Sequence, residues 1–134
     1  DDDCHRLKAQ LESFAVAANL PTRSHPNQGR FVIVNRIAIE ELEAWYFGDW
    51  KAVCAAYPRV PSNVPRKQSY RDPDTIAGGA WEAFERVLQR AGYFKTGLRK
   101  IEAAEAIAPH IEYNRNSSHS FQVLRDVLVE LAAA

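Results

Sequence analysis

Apolar positions change their period twice along the chain, and each change marks the border of an element. In residues 4–19, CHRLKAQLESFAVAAN, Leu7, Leu11, Phe14 and Ala18 recur three and four apart, the spacing that gathers side chains on one face of an α-helix. Asp1, Asp2 and Asp3 precede this stripe, where carboxylates cap a helix and suit the positive end of its dipole. Pro21, Pro26 and Gly29 break the pattern, and from Arg30 the chain reads as extended. Phe31 to Val34 is a continuous apolar, largely β-branched run, resumed by Ile37 to Ile39 after Asn35 and Arg36. The run predicts a strand that hands over to a helix at Glu40, because Leu42, Trp45 and Tyr46 return to helical spacing while Glu40, Glu41 and Glu43 fill the first turn. Helix, loop and strand in that order are expected to form the second half of a βαβ crossover whose first strand would lie before residue 1. The expectation is an α/β fold: a small parallel sheet, incomplete at its N-terminus, followed by a mostly helical C-terminal part.

The C-terminal part divides at its glycines and prolines. Gly48 stops one helix and Asp49 caps the next, WKAVCAAY, with Trp50, Val53, Cys54 and Tyr57 inward. Residues 57–74 hold Pro58, Pro61, Pro65 and Pro73 together with Arg59, Arg66, Lys67 and Arg71, a long basic loop that is either solvated or functional. After Gly78 and Gly79, Trp81, Phe84, Val87, Leu88 and Ala91 share a face of a helix that Gly92 ends. A further helix runs through LRKIEAAEAIAP. The last carries Phe121, Leu124, Leu128 and Leu131 and has Ser118 or Ser120 as its cap.

Composition narrows the function classes. The 134 residues, 46% hydrophobic, suffice for one globular domain over 1–134. Lys plus Arg and Asp plus Glu both number 17, so no global field draws the chain to nucleic acid, and any basic surface is local. Cys4 and Cys54 lack the spacing of a zinc site, and the four histidines are scattered. No apolar run reaches the roughly 18 to 20 residues of a membrane span and no signal peptide is evident, which points to the cytoplasm. Gly78 and Gly79 are not followed by the lysine of a Walker loop, and no serine sits in a nucleophile elbow.

Three groups remain as candidate chemistry. Asp1 to Asp3 offer hard oxygen ligands for Mg²⁺, or else a helix cap. Glu41 and Glu43 offer acid–base groups beside Arg36, an arginine in an apolar strand that needs a partner. Arg66 and Lys67 in the basic loop, with Arg99 and Lys100, offer phosphate contacts, although Glu102 and Glu105 balance part of that charge. Trp45, Tyr46, Phe47, Trp50 and Trp81 are either core or an interface anchor.

The blocks DDDCHRLK, RIAIEELEAWYFGDW, GGAWEAFERVLQRAGY, LRKIEAAEAIAPHI and SSHSFQVLRDVL resemble, in this order, those of the bacterial domain-of-unknown-function family 4276. That family is similar to the Toprim fold of topoisomerases, primases and the nucleases paired with ATPases in bacterial defence. The resemblance implies a parallel sheet with a glutamate on an early strand and an Asp-x-Asp on a later one, together holding Mg²⁺. The early glutamate is absent from this sequence, and Asp3 and Cys4 match the end of the aspartate-rich block, so the chain is expected to be a fragment lacking the first strand or strands. It further implies an Mg²⁺-dependent nuclease or nucleic-acid-processing component of a defence system, active as a phosphodiesterase when full-length. Asp1, Asp3 and Glu41 would hold the metal, Glu41, Glu43 and Arg36 would act in catalysis, and Arg66, Lys67, Arg99 and Lys100 would contact nucleic acid. The alternative is a non-catalytic interaction or regulatory module that partners an ATPase.

Overall fold

The computed structural model describes residues 4–37 and 41–133, and the chain divides into two compact units, Asp1–Ile37 with Glu130–Ala134, and Ala38–Val129. Helices form where the spacing puts them: α1 (Cys4–Ala17), α2 (Leu42–Gly48), α3 (Trp50–Ala56), α4 (Ala80–Arg90), α5 (Lys100–Ile107) and α6 (His119–Ala132). The sheet does not form. Among the described residues, β structure amounts to two isolated bridges, Thr22 with Ile33 (parallel) and Asn27 with Arg30 (antiparallel). The expected α/β fold with a small Toprim-like parallel sheet is therefore corrected to a helical one. The reason is that β propensity describes side chains that fit a pleated, half-buried surface and does not supply the neighbouring strand. The amides of Val32 and Ile33 both donate to the carbonyl of Pro21, and Val32 is 69% exposed. Ala38, Ile39 and Glu40 lie outside the described residues, as do Asp1, Asp2 and Asp3.

In the first unit, α1 closes on a Schellman arrangement. Leu20 N–H reaches Ala15 C=O and Asn19 N–H reaches Val16 C=O, with Asn19 in the left-handed region at φ 55°. Of the α1 side chains, Ala15 is buried, whereas Phe14 is 60% exposed. The stripe read from the sequence thus has no core behind it among the described residues.

The second unit holds the aromatic core. Phe47 of α2 stacks on Trp50 of α3 and on Tyr70, each at 5.2 Å between ring centroids, and meets Phe84 of α4 edge-on at 6.0 Å. Tyr70 belongs to the basic loop, so that loop is packed rather than solvated. Val60, Val64 and Ile76 are also buried, and Trp50 Nε1 donates to Pro61 C=O at 2.9 Å. The sequence places α4 after two glycines because both Gly78 (φ 78°) and Gly79 (φ 89°) adopt the left-handed region. Ser118 caps α6, its hydroxyl accepting from Phe121 N–H at 3.2 Å.

Burial of Tyr46 in this core has a titration consequence. Desolvation, followed by the charge of Glu43, pushes its phenol up to about 12. An unfolded tyrosine ionises near pH 10, so between about pH 10 and 12 the unfolded chain sheds a proton that the folded chain keeps. Stability is full below pH 10 and falls as pH rises, by about 2 kcal/mol at pH 12. Urea midpoints measured across this window should decline in the wild type and flatten in Tyr46→Phe; parallel declines in both would remove Tyr46 as the cause.

Candidate functional site

The carboxylates at the start of α2 converge with α4 and α5. Glu41 Oε2 accepts the backbone N–H of Trp81 at 2.8 Å, satisfying an orphan donor in the first turn of α4. Glu43 is buried, with Oε1 3.7 Å from Lys100 Nζ, and that ammonium lies 4.8 Å from the centroid of the Trp81 ring. Glu41, Glu43, Trp81 and Lys100 therefore stitch three helices together. Asp1 and Asp3, the other expected metal ligands, lie outside the described residues. Among the described residues no three His, Cys, Asp or Glu side chains are grouped to hold a metal ion, and Glu41 and Glu43 are engaged by Trp81 N–H and Lys100.

The expected nucleic-acid contacts divide into paired and open cations. Arg99 pairs with Glu102, its Nη2 2.9 Å from Oε1, and lies over Phe94; this guanidinium holds the Glu102 carboxyl below its usual range. Lys100 is engaged by Glu43 and Trp81. Arg66 and Lys67 are exposed, and with Arg71 their side chains make no hydrogen bond or ion pair among the described residues. Their backbone is nonetheless fixed, because consecutive 3₁₀ turns, Val64–Arg66 and Gln68–Tyr70, run between buried Val64 and the stacked ring of Tyr70.

A polar network that the sequence reading missed joins the α2–α3 corner to the segment before α6. Asp49 accepts from Arg115 Nε (2.6 Å) and Nη2 (2.9 Å) and from Glu112 N–H (2.9 Å), and raises the arginine further above its ordinary pKa. Asn116 donates to Trp45 C=O at 2.8 Å and accepts from Ser118 N–H at 3.0 Å. Ser118 and Ser120 hydroxyls donate to Asp74 Oδ1 at 2.8 and 2.9 Å, while Trp45 Nε1 donates to Ser120 Oγ at 2.9 Å. Both serines are buried and no imidazole joins them, so the arrangement is a structural clasp, not a nucleophile. Its signal in the sequence is the run RNSSHS, whose short polar side chains are suited to bonding backbone.

Arg36 lies in the first unit, where it lines a small polar pocket with Lys8, Glu12, Arg23, Ser24, Val34 and Asn35. Its Nε is buried with no hydrogen-bond partner among the described residues.

The family model described as Domain of unknown function (DUF4276) matches residues 1–129. The chain belongs to that family. No curated protein and no solved structure matches it. The RIAIEELEAWYFGDW and SSHSFQVLRDVL blocks touch each other through Trp45, which donates to Ser120 Oγ and meets the Phe121 ring edge-on at 5.3 Å. No helix among the described residues is long and apolar enough to cross a membrane.

Proposed function

We propose that this DUF4276 chain is a nucleic-acid-binding component of a bacterial defence system, one that holds the phosphate backbone. The observation that carries the reading is the open cation set Arg66, Lys67 and Arg71 on a loop anchored by Val64 and Tyr70. A fixed loop presents its charges without the ordering cost of a mobile one, and neutralised phosphates release counterions whatever the base sequence.

Fluorescence anisotropy with labelled single-stranded and duplex oligonucleotides, across a salt series, tests the reading. The triple variant Arg66→Ala, Lys67→Ala, Arg71→Ala should weaken binding about tenfold and lower the logarithmic salt slope by about 2 to 3. Binding and slope equal to wild type would overturn the reading. Turnover of the strand in Mg²⁺, lost in Glu41→Gln, would replace it with the catalytic one. A non-catalytic module docked on an ATPase partner is the second reading, favoured by the apolar face of α1, where Leu7 and Phe14 are exposed. A chain that binds no oligonucleotide at any salt leaves that second reading in place.

A further inference from the structure

We propose that the pocket between α1 and residues 21–36 of the first unit binds a phosphomonoester dianion, either the phosphorylated end of a strand or a free 5′-nucleotide. The strand-end source rests on the nucleic-acid reading above; the nucleotide source does not. The first unit as a whole is neutral, with Arg6, Lys8, Arg23, Arg30 and Arg36 against Asp1, Asp2, Asp3, Glu12 and Glu130, five minus five, so what matters is where its cations are placed. Three of those cations, Lys8, Arg23 and Arg36, line the pocket with the hydroxyl of Ser24 and the amide of Asn35.

The fold builds this pocket rather than leaving it to loose side chains. Pro21 C=O receives the amides of Val32 and Ile33, and Arg23 N–H donates to Ile33 C=O at 2.9 Å. Residues 21–24 are thereby clamped alongside residues 32–36, bringing Arg23 and Ser24 near Asn35 and Arg36. Lys8 and Glu12, one turn apart on α1, close the other wall. Glu12 is engaged on one side only: its Oε1 accepts from Asn35 Nδ2 at 3.0 Å, while its Oε2, 3.9 Å from His25 Nδ1, is buried with no hydrogen-bond partner among the described residues, and the Thr22 hydroxyl, then Asn35, hold its pKa below the ordinary value. Arg23 contacts Glu130 at 2.7 Å, but both side chains are more than two-fifths exposed, and such a pair is easily exchanged for a stronger anion.

Size and chemistry select the ligand. The volume is about 240 Å³, below the roughly 300 to 1,000 Å³ of pockets that enclose a whole drug-sized ligand, so it suits a compact head group and leaves the base outside. The buried Nε of Arg36 lacks an acceptor among the described residues. A phosphomonoester presents three terminal oxygens, enough for two guanidinium forks and one ammonium, whereas a diester inside a strand presents two and continues on both sides.

The test uses the full chain and one oligonucleotide sequence with either a 5′-phosphate or a 5′-hydroxyl. The phosphorylated strand should bind about tenfold tighter, and Arg36→Gln and Ser24→Glu should each abolish that preference while keeping the affinity for the hydroxyl strand. Ser24 is exposed, so Ser24→Glu blocks the pocket by charge without disturbing a core. The loop triple variant should weaken both strands equally and preserve their ratio. Competition by a 5′-mononucleotide, but not by its nucleoside, supports the pocket and assigns free nucleotide as a source; preference without competition assigns the strand end. If the chain binds neither strand, the backbone-holding reading fails alone, and a mononucleotide-induced thermal shift, absent in Arg36→Gln, still supports the pocket. Equal affinity for the two strands with no nucleotide effect, or a preference that survives Ser24→Glu, would overturn the proposal.

Discussion

Replacing Arg115 with alanine is expected to destabilise the protein by about 4 kcal/mol, and replacing Asp49 by about 3 kcal/mol. The asymmetry follows from exposure. The Asp49 side chain is 0% exposed, so the loss of Arg115 strands a carboxylate in the core with only Glu112 N–H to satisfy it. The Arg115 side chain is 27% exposed and also pairs with Glu112 at 2.6 Å, so an orphaned guanidinium can turn to water and to that second acid. Against a total stability of about 5 to 15 kcal/mol, either loss is large. The double variant Asp49→Leu, Arg115→Met removes both charges and should lose less than the sum of the single variants, because neither partner is then left alone. Urea unfolding of the four chains measures all of this. A cost below about 1 kcal/mol for Arg115→Ala would show that the corner is not clasped as described.

Which features were legible depends on whether their partners lie close in sequence. The amphipathic stripe of α4 is a local pattern with a 3.6-residue period, and Phe84, Val87 and Leu88 found the core it announced, with Ala91 packed against it, whereas Trp81 lies outside that core cluster. The break between α2 and α3 at Gly48 and Asp49 is equally local. Residues 31–34 carry as clear a strand pattern, but a strand is defined by neighbours, and a one-dimensional pattern names none. The same limit governs the site. The first-turn position of Glu41 indicated a role at a helix N-terminus, but the donor it serves, Trp81 N–H, is 40 residues away on another helix. Arg99 with Glu102 is an i,i+3 pair that spacing suggests, whereas Lys100 with Glu43 is not. The cations Lys8, Arg23 and Arg36 come from three segments, and no window along the chain shows them together.

The strongest test of the α2–clasp contact is a substitution that intrinsic propensity favours. Gly48 ends α2 in an ordinary helical neighbourhood, where alanine should gain up to about 1 kcal/mol over glycine. Yet a Cβ at position 48 would overlap the side-chain amide of Asn116 and come within 2.9 Å of Ser118 N. Segment 116–118 lies directly on this glycine, since Ser117 donates to Gly48 C=O through both its N–H (2.9 Å) and its hydroxyl (3.2 Å). Asn116 is buried and cannot rotate away without surrendering Trp45 C=O and Ser118 N–H, each left unsatisfied at about 1 to 3 kcal/mol. Overpacking adds about 1 to 3 kcal/mol, so steric and polar losses exceed the helix gain and Gly48→Ala should be destabilised by about 3 kcal/mol. Combining it with Asn116→Ala frees the space while removing the same bonds, so the double variant should cost less than the two single variants added. Thermal and urea unfolding decide the matter: a Gly48→Ala chain as stable as wild type would mean that segment 116–118 does not rest on α2, and the Asp49–Arg115 pair beside it would lose its structural basis as well.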